Sequence, residues 1–377
     1  MKIDSLTYDN GTWAISDSQI ETKSAASIVF LFGDSDILKS EDCVHQIKEK
    51  YPNAHIVGAS SSGNILGVEI SDSPIVGTAV KMEKGSVEVD FVDFTENDNI
   101  EQLASDLINK LPAKSLKHVF ILSDGLNLNG SELVRGINKA SQGFTVSGGL
   151  AGDGDRFQET WVVANEPARK NRITAVGFYG DALTVTTGCH AGWSSFGADR
   201  IITRSSANVL YELDDRPALD LYKEFLGEFA DDLPLSGLRF PLNIRASENA
   251  NEVIRTLLAI NEEEKSITFA GDVPEGFIAR LMKPDLDILI DGAEIASKDI
   301  KKASSNTALC LVVSCVGRRV VMKQVVEEEL EAVEEVLGDN VHLTGFYSYG
   351  EIAPFQDDLL QCQLHNQTMT LTAIYET

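Results

Sequence analysis

Three stretches of small polar residues could bind a ligand without any catalytic side chain. They are Ala59–Ile65 (ASSSGNI), Gly148–Gly154 (GGLAGDG) and Phe346–Ile352 (FYSYGEI). Glycine lets backbone N–H groups approach a ligand closely and serine adds hydroxyls, so such loops suit a carboxylate, a phosphate or a carbonyl group. Tight turns that need positive φ are the alternative explanation. The predicted ligand-binding residues in these stretches are Ser60, Ser61, Ser62, Gly63, Gly148, Gly149, Gly152, Asp153, Ser348 and Glu351.

The same stretches fit neither a nucleotide-binding P-loop nor the nucleophile turn of a hydrolase. No Lys-Ser or Lys-Thr pair follows the glycines, so a P-loop is excluded. Ser61 and Ser348 follow predicted strands, as the nucleophile of a hydrolase does, but that geometry requires a helix directly afterwards, and Ile65–Ile70 is strand-like.

A third catalytic alternative is an esterase. Phe30–Ser35 (FLFGDS) resembles the nucleophile block of SGNH-type esterases, and Asp339 and His342 could complete a triad with Ser35. The required Gly-x-Asn-Asp block is incomplete, because the matching stretch reads Gly125-Leu-Asn-Leu128. The sequence therefore favours a protein that is not an enzyme, with the esterase as a lesser alternative.

The polar stretches follow three predicted strand-helix-strand units. The first strands are Ser27–Phe32, His118–Ser123 and Ala308–Ser314, and the second strands are His55–Gly58, Phe144–Ser147 and His342–Gly345, with helices predicted near 41–50, 131–141 and 327–337. The first and third polar stretches share the pattern His-x-x-Gly-x-x-Ser-x-Gly-x-Ile, which indicates an internal duplication. Parallel pairing with right-handed crossovers would bring the polar stretches to one edge of each sheet, where ligands bind.

The segments between the units predict a more complex fold. Thr160–Ala164, Ala175–Tyr179 and Leu183–Thr187 are typical of antiparallel strands, and Pro217–Phe229 is helix-like. Irregular composition places a boundary between lobes at about residues 205–235. We therefore predict an α/β fold with α+β elements, in which repeated strand-helix-strand units form two packed lobes with mixed sheets. The predicted lobes are residues 1–220 and 221–377.

Composition narrows the partners and the compartment. The net charge of −26 opposes binding to nucleic acid or to an anionic membrane surface. The five cysteines form neither a C-x-x-C pair nor a zinc-binding pattern, and no signal peptide or membrane span is recognisable. A cytoplasmic protein is expected, and its oligomeric state is left open.

An ordered set of motifs resembles the FIST family along nearly the whole chain. The motifs are Gly148–Asp153, Gly192-Trp193 with Phe196-Gly197, Leu213-x-x-x-Pro-Ala-Leu-x-Leu-Tyr222, Val273–Gly276, Gly345–Ile352 and His365–Thr368. The resemblance implies FIST N-terminal and C-terminal lobes and a sensory, ligand-binding role in signal transduction, with amino acids among the small molecules considered. Similar stand-alone members, of the NosP type, imply a haem-based nitric oxide sensor that regulates a separate histidine kinase in a two-component system.

If haem is the cofactor, the residues around His190 are the predicted site. A haem iron needs a neutral imidazole on one face of an apolar pocket, and His190 follows a predicted strand next to Trp193. The flat ligand could lie between aromatic side chains, namely those of Trp193, Phe196, Tyr347 and Tyr349. The pocket could be closed by His365 and Asn366. The alternatives are a hydrogen-bonded histidine at a strand end, core aromatics, and a polar network that pins the last strand.

The acidic stretch Val325–Leu337 completes the sequence-based predictions. Its apolar residues fall on one helical face and its glutamates on the other, as in a solvated surface helix, which would also be the face for a basic partner such as a kinase. The main hypothesis is a cytoplasmic haem-based nitric oxide sensor. A haem-free sensor of an amino acid or other small metabolite is the alternative.

Overall fold

The first strand-helix-strand unit forms where the sequence predicts it, in a computed structural model that describes residues 1–71, 73–300 and 308–377. The helix α2 has the predicted bounds because Cys43, Val44 and Ile47 give it one apolar face. Strands β3 and β4 pair in parallel. The elements up to residue 93 are β1 (Lys2–Asp9), β2 (Thr12–Ser18), β3 (Ile28–Gly33), α1 (Ser35–Leu38), α2 (Glu41–Lys50), β4 (His55–Ser60), β5 (Asn64–Leu66), β6 (Glu69–Ser71), β7 (Ile75–Lys81) and β8 (Ser86–Asp93).

The second unit repeats this arrangement. Its elements are α3 (Ile100–Lys110), β9 (Leu116–Ser123), α4 (Gly130–Ala140), β10 (Thr145–Leu150), β11 (Val162–Ala164), β12 (Arg172–Tyr179) and β13 (Leu183–His190). Strands β9 and β10 are parallel. The three strands predicted to be antiparallel are so, but they join three different sheets: β11 pairs with β4, β12 with β8 and β9, and β13 with a strand near the C-terminus.

An antiparallel lobe is inserted before the third unit. It contains β14 (Ser194–Ser206), β15 (Val209–Leu213), β16 (Arg216–Pro217), α5 (Ala218–Leu226), β17 (Leu242–Arg245), β18 (Val253–Arg255), β19 (Leu257–Asn261), β20 (Ser266–Phe269) and β21 (Ile278–Lys283). These strands form one sheet of their own around a separate apolar core. Short 3₁₀ helices occupy Lys23–Ala25, Gly227–Asp232, Leu235–Arg239 and Lys323–Val325. The boundary predicted at residue 220 lies inside this inserted lobe and stays a prediction.

The third unit closes the chain. It consists of α6 (Leu286–Ile300), β22 (Ala308–Cys315), α7 (Val316–Met322), α8 (Glu328–Leu337), β23 (Val341–Ser348), β24 (Gly350–Phe355), β25 (Asp358–His365) and β26 (Met369–Glu376). Strands β22 and β23 are parallel, and β26 pairs antiparallel with β22 and β13. The α/β class, the two lobes and the mixed sheets are confirmed, with 44% of residues in strands and 25% in helices.

The three units exchange strands in a closed cycle. After β4, the chain continues into β5, which pairs with β23 of the third unit. After β23, it continues into β24, which pairs with β10 of the second unit. After β10, it reaches β11, which pairs with β4 of the first unit. The sequence-based duplication is therefore part of an approximate threefold repeat. Because each polar stretch lies at a crossover between sheets, the cycle brings all three stretches to one axis.

Glycines at equivalent positions keep the units closely packed. Gly58, Gly148 and Gly345 each face the neighbouring parallel strand, where an added Cβ would collide with a backbone carbonyl oxygen. Any side chain at these positions would force the parallel strands apart. Gly148, predicted to bind ligand, therefore serves strand packing, and a Cβ at Gly149 would collide with Val313. None of the described helices is long and apolar enough to cross a membrane.

Candidate functional site

A ring of three backbone hydrogen bonds joins the polar stretches at the threefold axis. The N–H of Gly152 donates to the Ser60 carbonyl at 2.9 Å. The N–H of Tyr349 donates to the Leu150 carbonyl at 3.1 Å, and that of Ser62 donates to the Tyr347 carbonyl at 2.8 Å. Each unit donates once and accepts once. The stretches near residues 60, 150 and 348 therefore meet at one axis. The sequence-based hypothesis of one shared cavity also included the stretch near residue 190, and His190 lines a separate cavity.

The axial pocket is a polar cavity of about 420 Å³ beside this ring. Four predicted ligand-binding residues, Ser61, Ser62, Gly63 and Asp153, line it. The described residues that line it are Asp34, Ser61, Ser62, Gly63, Asn64, Ile70, Ser71, Ser73, Pro74, Asp153, Gly154, Asp155, Arg156 and Arg319. The pocket lies where the parallel strands β3 and β4 end, which is the usual ligand-binding edge of an open α/β sheet.

Several predicted residues support the pocket from behind. The Ser60 hydroxyl accepts the N–H of Trp161 at 2.9 Å, and a Cβ at Gly152 would collide with the Ser62 hydroxyl. The Asp153 carboxylate, only 1% exposed, accepts three backbone N–H groups and the Tyr349 hydroxyl. Asp153 therefore shapes the loop after β10, and little of its hydrogen-bonding capacity is left for a ligand.

Arg319 is the residue of the axial pocket that the sequence-based prediction missed. It lies on α7, half-buried, and its guanidinium donates to the Ser62 carbonyl and lies 5.8 Å from the Tyr347 ring centroid. Among the described residues, no carboxylate forms an ion pair with it. Arg156 differs, because Asp36 and Ser35 both accept from its guanidinium. The signal that could have found Arg319 is the Arg318-Arg319 pair, which follows the buried strand β22 after Val316 and Gly317.

A second cavity of about 330 Å³ gathers three residues of the predicted haem site. His190, Trp193 and His365 line it, together with Ile254 and Met282. His190 is exposed at the end of β13, and partial burial of its ring, followed by the charge of Arg318, lowers the pKa of its imidazole, which favours the neutral form. Burial lowers the pKa of His365 to about 4, and its Nε2 lies 3.1 Å from the Ala353 carbonyl.

The other predicted aromatic residues lie elsewhere. Phe196 is 39% exposed on β14 of the inserted lobe and does not line the His190 cavity. Tyr347 is fully buried, packs behind Gly63 and donates its hydroxyl to Glu329 at 2.8 Å, so it cannot wall a ligand there. Tyr349 lines a different cavity between the lobes. The prediction of one flat pocket lined by all four aromatic residues is therefore wrong. Phe196 lies on the inserted lobe, Tyr347 is buried in the core and Tyr349 lines a different cavity.

Ser348 and Glu351 belong to a buried cluster that we call the core network: Ser314, Arg318, Glu329, Tyr347, Ser348, Glu351 and Thr368. Glu351 accepts the Ser348 hydroxyl at 2.6 Å and both the N–H and the hydroxyl of Thr368. Burial raises the pKa of Glu351 to about 7, against the opposing effect of these hydrogen bonds and of Arg318. Neither predicted residue reaches a cavity wall, since both are fully buried.

Helix α8 contributes an unexpected member of this network. The sequence predicts glutamates on its solvated face, yet Glu329 is fully buried and forms an ion pair with Arg318 at 2.8 Å. Ser314 also donates to Glu329, at 2.9 Å. The prediction that all glutamates of this helix are solvated is therefore wrong for Glu329, because the buried guanidinium of Arg318 requires a counterion.

The esterase triad is not assembled. Ser35 is fully buried after the carboxyl end of β3, and its hydroxyl accepts from Arg156 at 2.6 Å. His342 lies at the opposite, amino end of β23. The carboxyl end of β23 is six residues beyond His342, which at about 3.3 Å per residue is roughly 20 Å. Ser35 lies at the carboxyl end of its own strand, so the two side chains are far apart.

These features define a class of protein before any comparison: a two-lobed α/β protein with a polar pocket where parallel strands end, an arrangement that holds small molecules. The chain belongs to the FIST family. Its residues 27–216 match the FIST N domain and its residues 218–354 match the FIST C domain. FIST domains are associated with small-molecule binding in sensory signal transduction.

Individual relatives add little. An uncharacterised protein of Methanocaldococcus jannaschii is 22% identical over 391 residues, which cover 93% of this chain and 74% of that protein. A crystal structure of cyanuric acid hydrolase from A. caulinodans aligns with a TM-score of 0.36 and 7% identity, over 94% of this chain and 91% of the hydrolase. This likeness is too low to inform the activity of the chain.

Proposed function

We propose that this FIST protein is a sensory protein that binds a small zwitterionic metabolite, such as an amino acid, in the axial pocket. The observation that carries the proposal is Arg319, a guanidinium without a carboxylate partner among the described residues, in a pocket lined by four serines. Guanidinium groups bind carboxylates with strong, charge-assisted hydrogen bonds. In a chain of net charge −26, a guanidinium without a carboxylate partner is suited to bind an anionic group of a ligand.

The rest of the pocket suits the opposite end of a zwitterion. Asp34 and Asp155 line it, and both carboxylates are partly or fully exposed. An ammonium group near them would be neutralised while Arg319 held the carboxylate. The Ser62 hydroxyl donates to the Gly154 carbonyl at 3.2 Å and accepts the Gly154 N–H at 3.1 Å, so it can accept one further hydrogen bond from a ligand. The arrangement supports recognition of both charges and contains no assembled nucleophile, so we propose binding without catalysis.

Calorimetry with the twenty protein amino acids tests this proposal. We expect saturable binding of at least one of them, and its amide and its N-acetyl derivative should each bind at least tenfold more weakly. Arg319→Gln should weaken binding at least tenfold, because it removes a charged donor. Arg169→Gln is the matched control, an exposed arginine that does not line the axial pocket. Absence of saturable binding by every amino acid would contradict the proposal.

Haem binding at His190 is the second candidate. The neutral imidazole beside Trp193, in a partly apolar cavity, favours it. The remaining lining fits haem poorly: it includes Glu252 but, among the described residues, no lysine or arginine to neutralise two propionates. If haem binds, reconstituted protein should show a Soret band that shifts with nitric oxide and weakens in His190→Ala. No saturable haem binding would leave the metabolite sensor alone.

The output of the sensor is proposed to be a separate histidine kinase. The exposed glutamates of α8 offer a surface for a basic partner, and the net charge disfavours nucleic acid and anionic membranes. Five free cysteines are compatible with the proposed cytoplasmic location. Co-purification with kinases encoded nearby, compared between wild type and a variant with Glu331 and Glu335 changed to lysine, tests this output. Equal recovery with both would contradict docking on α8.

A further inference from the structure

The seam cleft is a cavity of about 260 Å³ between the core and the inserted lobe, away from the axial pocket and from His190. The core contributes Gly125, Leu126, Leu128, Asn129, Gly130, Leu150, Phe157, Cys315, Val316 and Tyr349; the inserted lobe contributes Asn208, Leu238, Thr256, Leu258, Thr268, Phe269 and Ala270. A smaller cavity of about 210 Å³ adjoins it and shares Phe157, Leu238 and Val316. Both lobes therefore enclose this space.

The walls of the seam cleft are apolar and aromatic. Phe157 and Tyr349 stack with ring centroids 4.6 Å apart and an interplanar angle of 12°. None of the described residues that line the seam cleft carries a charge. A charged ligand would lose its hydration there without gaining an opposite charge, which is strongly unfavourable. The cavity therefore favours a neutral molecule.

Unpartnered polar atoms concentrate along the same seam. The hydroxyl of Thr256, which lines the cleft, and that of Ser236, which lines the adjoining cavity, have no hydrogen-bond partner although both residues are more than nine-tenths buried. Nδ2 of Asn366 and Oε1 of Gln367 are also unpartnered. Neither Asn366 nor Gln367 lines the cleft or the adjoining cavity, but both lie against its wall, because Asn366 accepts the N–H of Thr256 and Gln367 donates to the Leu238 carbonyl.

Such atoms are costly to leave unpaired. A buried polar group without a partner destabilises the folded protein, because it has lost its hydrogen bonds to water. Of these four side chains, Thr256 is the one that lines the seam cleft itself, and its hydroxyl can either donate or accept a hydrogen bond. Such a hydroxyl can bond the carbonyl oxygen or the N–H of a carboxamide, lactam or similar heterocycle.

We propose that the seam cleft is a second binding site, for a neutral aromatic or heterocyclic molecule with an amide-like hydrogen-bonding edge. Its ring lies against the Phe157–Tyr349 stack, and its polar edge contacts Thr256 and its neighbours. Since the two walls come from different lobes, the ligand holds the inserted lobe against the core. The site does not depend on Arg319, so it stands or falls separately from the proposed metabolite pocket.

Saturation-transfer NMR and calorimetry with benzamide, indole and 2-pyridone, and with benzoate as the charged comparison, test the site. We expect saturable binding of at least one neutral probe, with benzoate at least tenfold weaker than benzamide. Arg319→Gln should leave probe binding unchanged. Absence of saturable binding by all three neutral probes, or equal binding of benzoate, would overturn the proposal.

Two variants locate the binding. Leu258→Trp, at a 44% exposed position of the cleft wall, should lower probe affinity at least tenfold by filling the cavity. Leu360→Trp, at a 49% exposed position on β25 that does not line the cleft, is the matched control and should leave affinity unchanged. Thr256→Val should weaken a hydrogen-bonding probe severalfold without lowering the unfolding midpoint. Unchanged affinity in both Leu258→Trp and Thr256→Val would exclude the seam cleft as the site.

Discussion

Two buried polar clusters in this protein differ in how fully they are hydrogen bonded. In the core network, Glu329 is bonded to Arg318, Ser314 and Tyr347, and Glu351 to Ser348 and Thr368. In the seam cluster, which consists of Ser236, Thr256, Asn366 and Gln367, each side chain has one unpartnered atom. We infer that the saturated cluster stabilises the fold, whereas Thr256 of the open cluster is left for the ligand proposed for the seam cleft.

Breaking the ion pair of the core network should have the largest effect. Glu329→Leu leaves the Arg318 guanidinium buried without a counterion, so we expect a loss of about 3–5 kcal/mol in the free energy of unfolding. Chemical denaturation measures it. Glu331→Leu, at an exposed position of the same helix, should change stability by less than about 0.5 kcal/mol. Similar effects of the two substitutions would show that the ion pair does not stabilise the fold.

Glu351 makes the core network sensitive to pH. Its pKa is raised to about 7 in the folded protein from an ordinary 4.5, so the native state holds a proton that the unfolded state releases. Stability should therefore fall as pH rises from 4.5 to 7, by about 3 kcal/mol, and stay level above 7. Glu351→Gln should remove this component. Denaturation curves at pH 5, 6, 7 and 8 for both proteins measure it, and equal slopes would contradict the assignment to Glu351.

Much of the scaffold of both clusters could be predicted from the sequence. The strand-helix-strand units are local patterns: α2 has its predicted bounds because its apolar spacing is helical, and β3 is continuously apolar because it is buried on both faces. The convergence of the polar stretches also follows from parallel strands sharing an edge. FIST membership was predicted from ordered motifs and is confirmed.

The rest depends on contacts between residues far apart in the chain. The exchange of β5, β11 and β24 between sheets leaves no local pattern, so the sequence predicts three similar units but not the closed cycle that they form. Glu329 has the spacing of a surface residue, and only Arg318, on another helix, explains its burial. The seam cleft likewise forms from two lobes whose packing no single segment encodes.

One matched pair of substitutions compares the clusters directly. Thr368→Val removes a hydroxyl that donates to Glu351 at 2.9 Å, so we expect a loss of about 1–3 kcal/mol. Thr256→Val removes a hydroxyl without a partner, so stability should stay unchanged or rise by up to about 1 kcal/mol. Thermal and chemical denaturation of both variants measure the contrast. Equal losses at the two positions would remove the distinction between a saturated and an open cluster.

The smallest expected effect is a coupling between the two proposed sites through Asp153–Phe157. This loop contributes Asp153, Gly154, Asp155 and Arg156 to the axial pocket and Phe157 to the seam cleft, and Phe157 has a φ of 51°, which few non-glycine residues adopt. A ligand at either site should hold the loop in place, so the second ligand loses less conformational entropy and binds more tightly.

We expect saturating benzamide to raise the affinity of the axial ligand about fivefold, or about 1 kcal/mol, and the reverse titration must give the same factor. Phe157→Leu should reduce the factor because the ring no longer stacks on Tyr349, whereas affinities that stay independent in the wild type would show that the loop does not connect the sites.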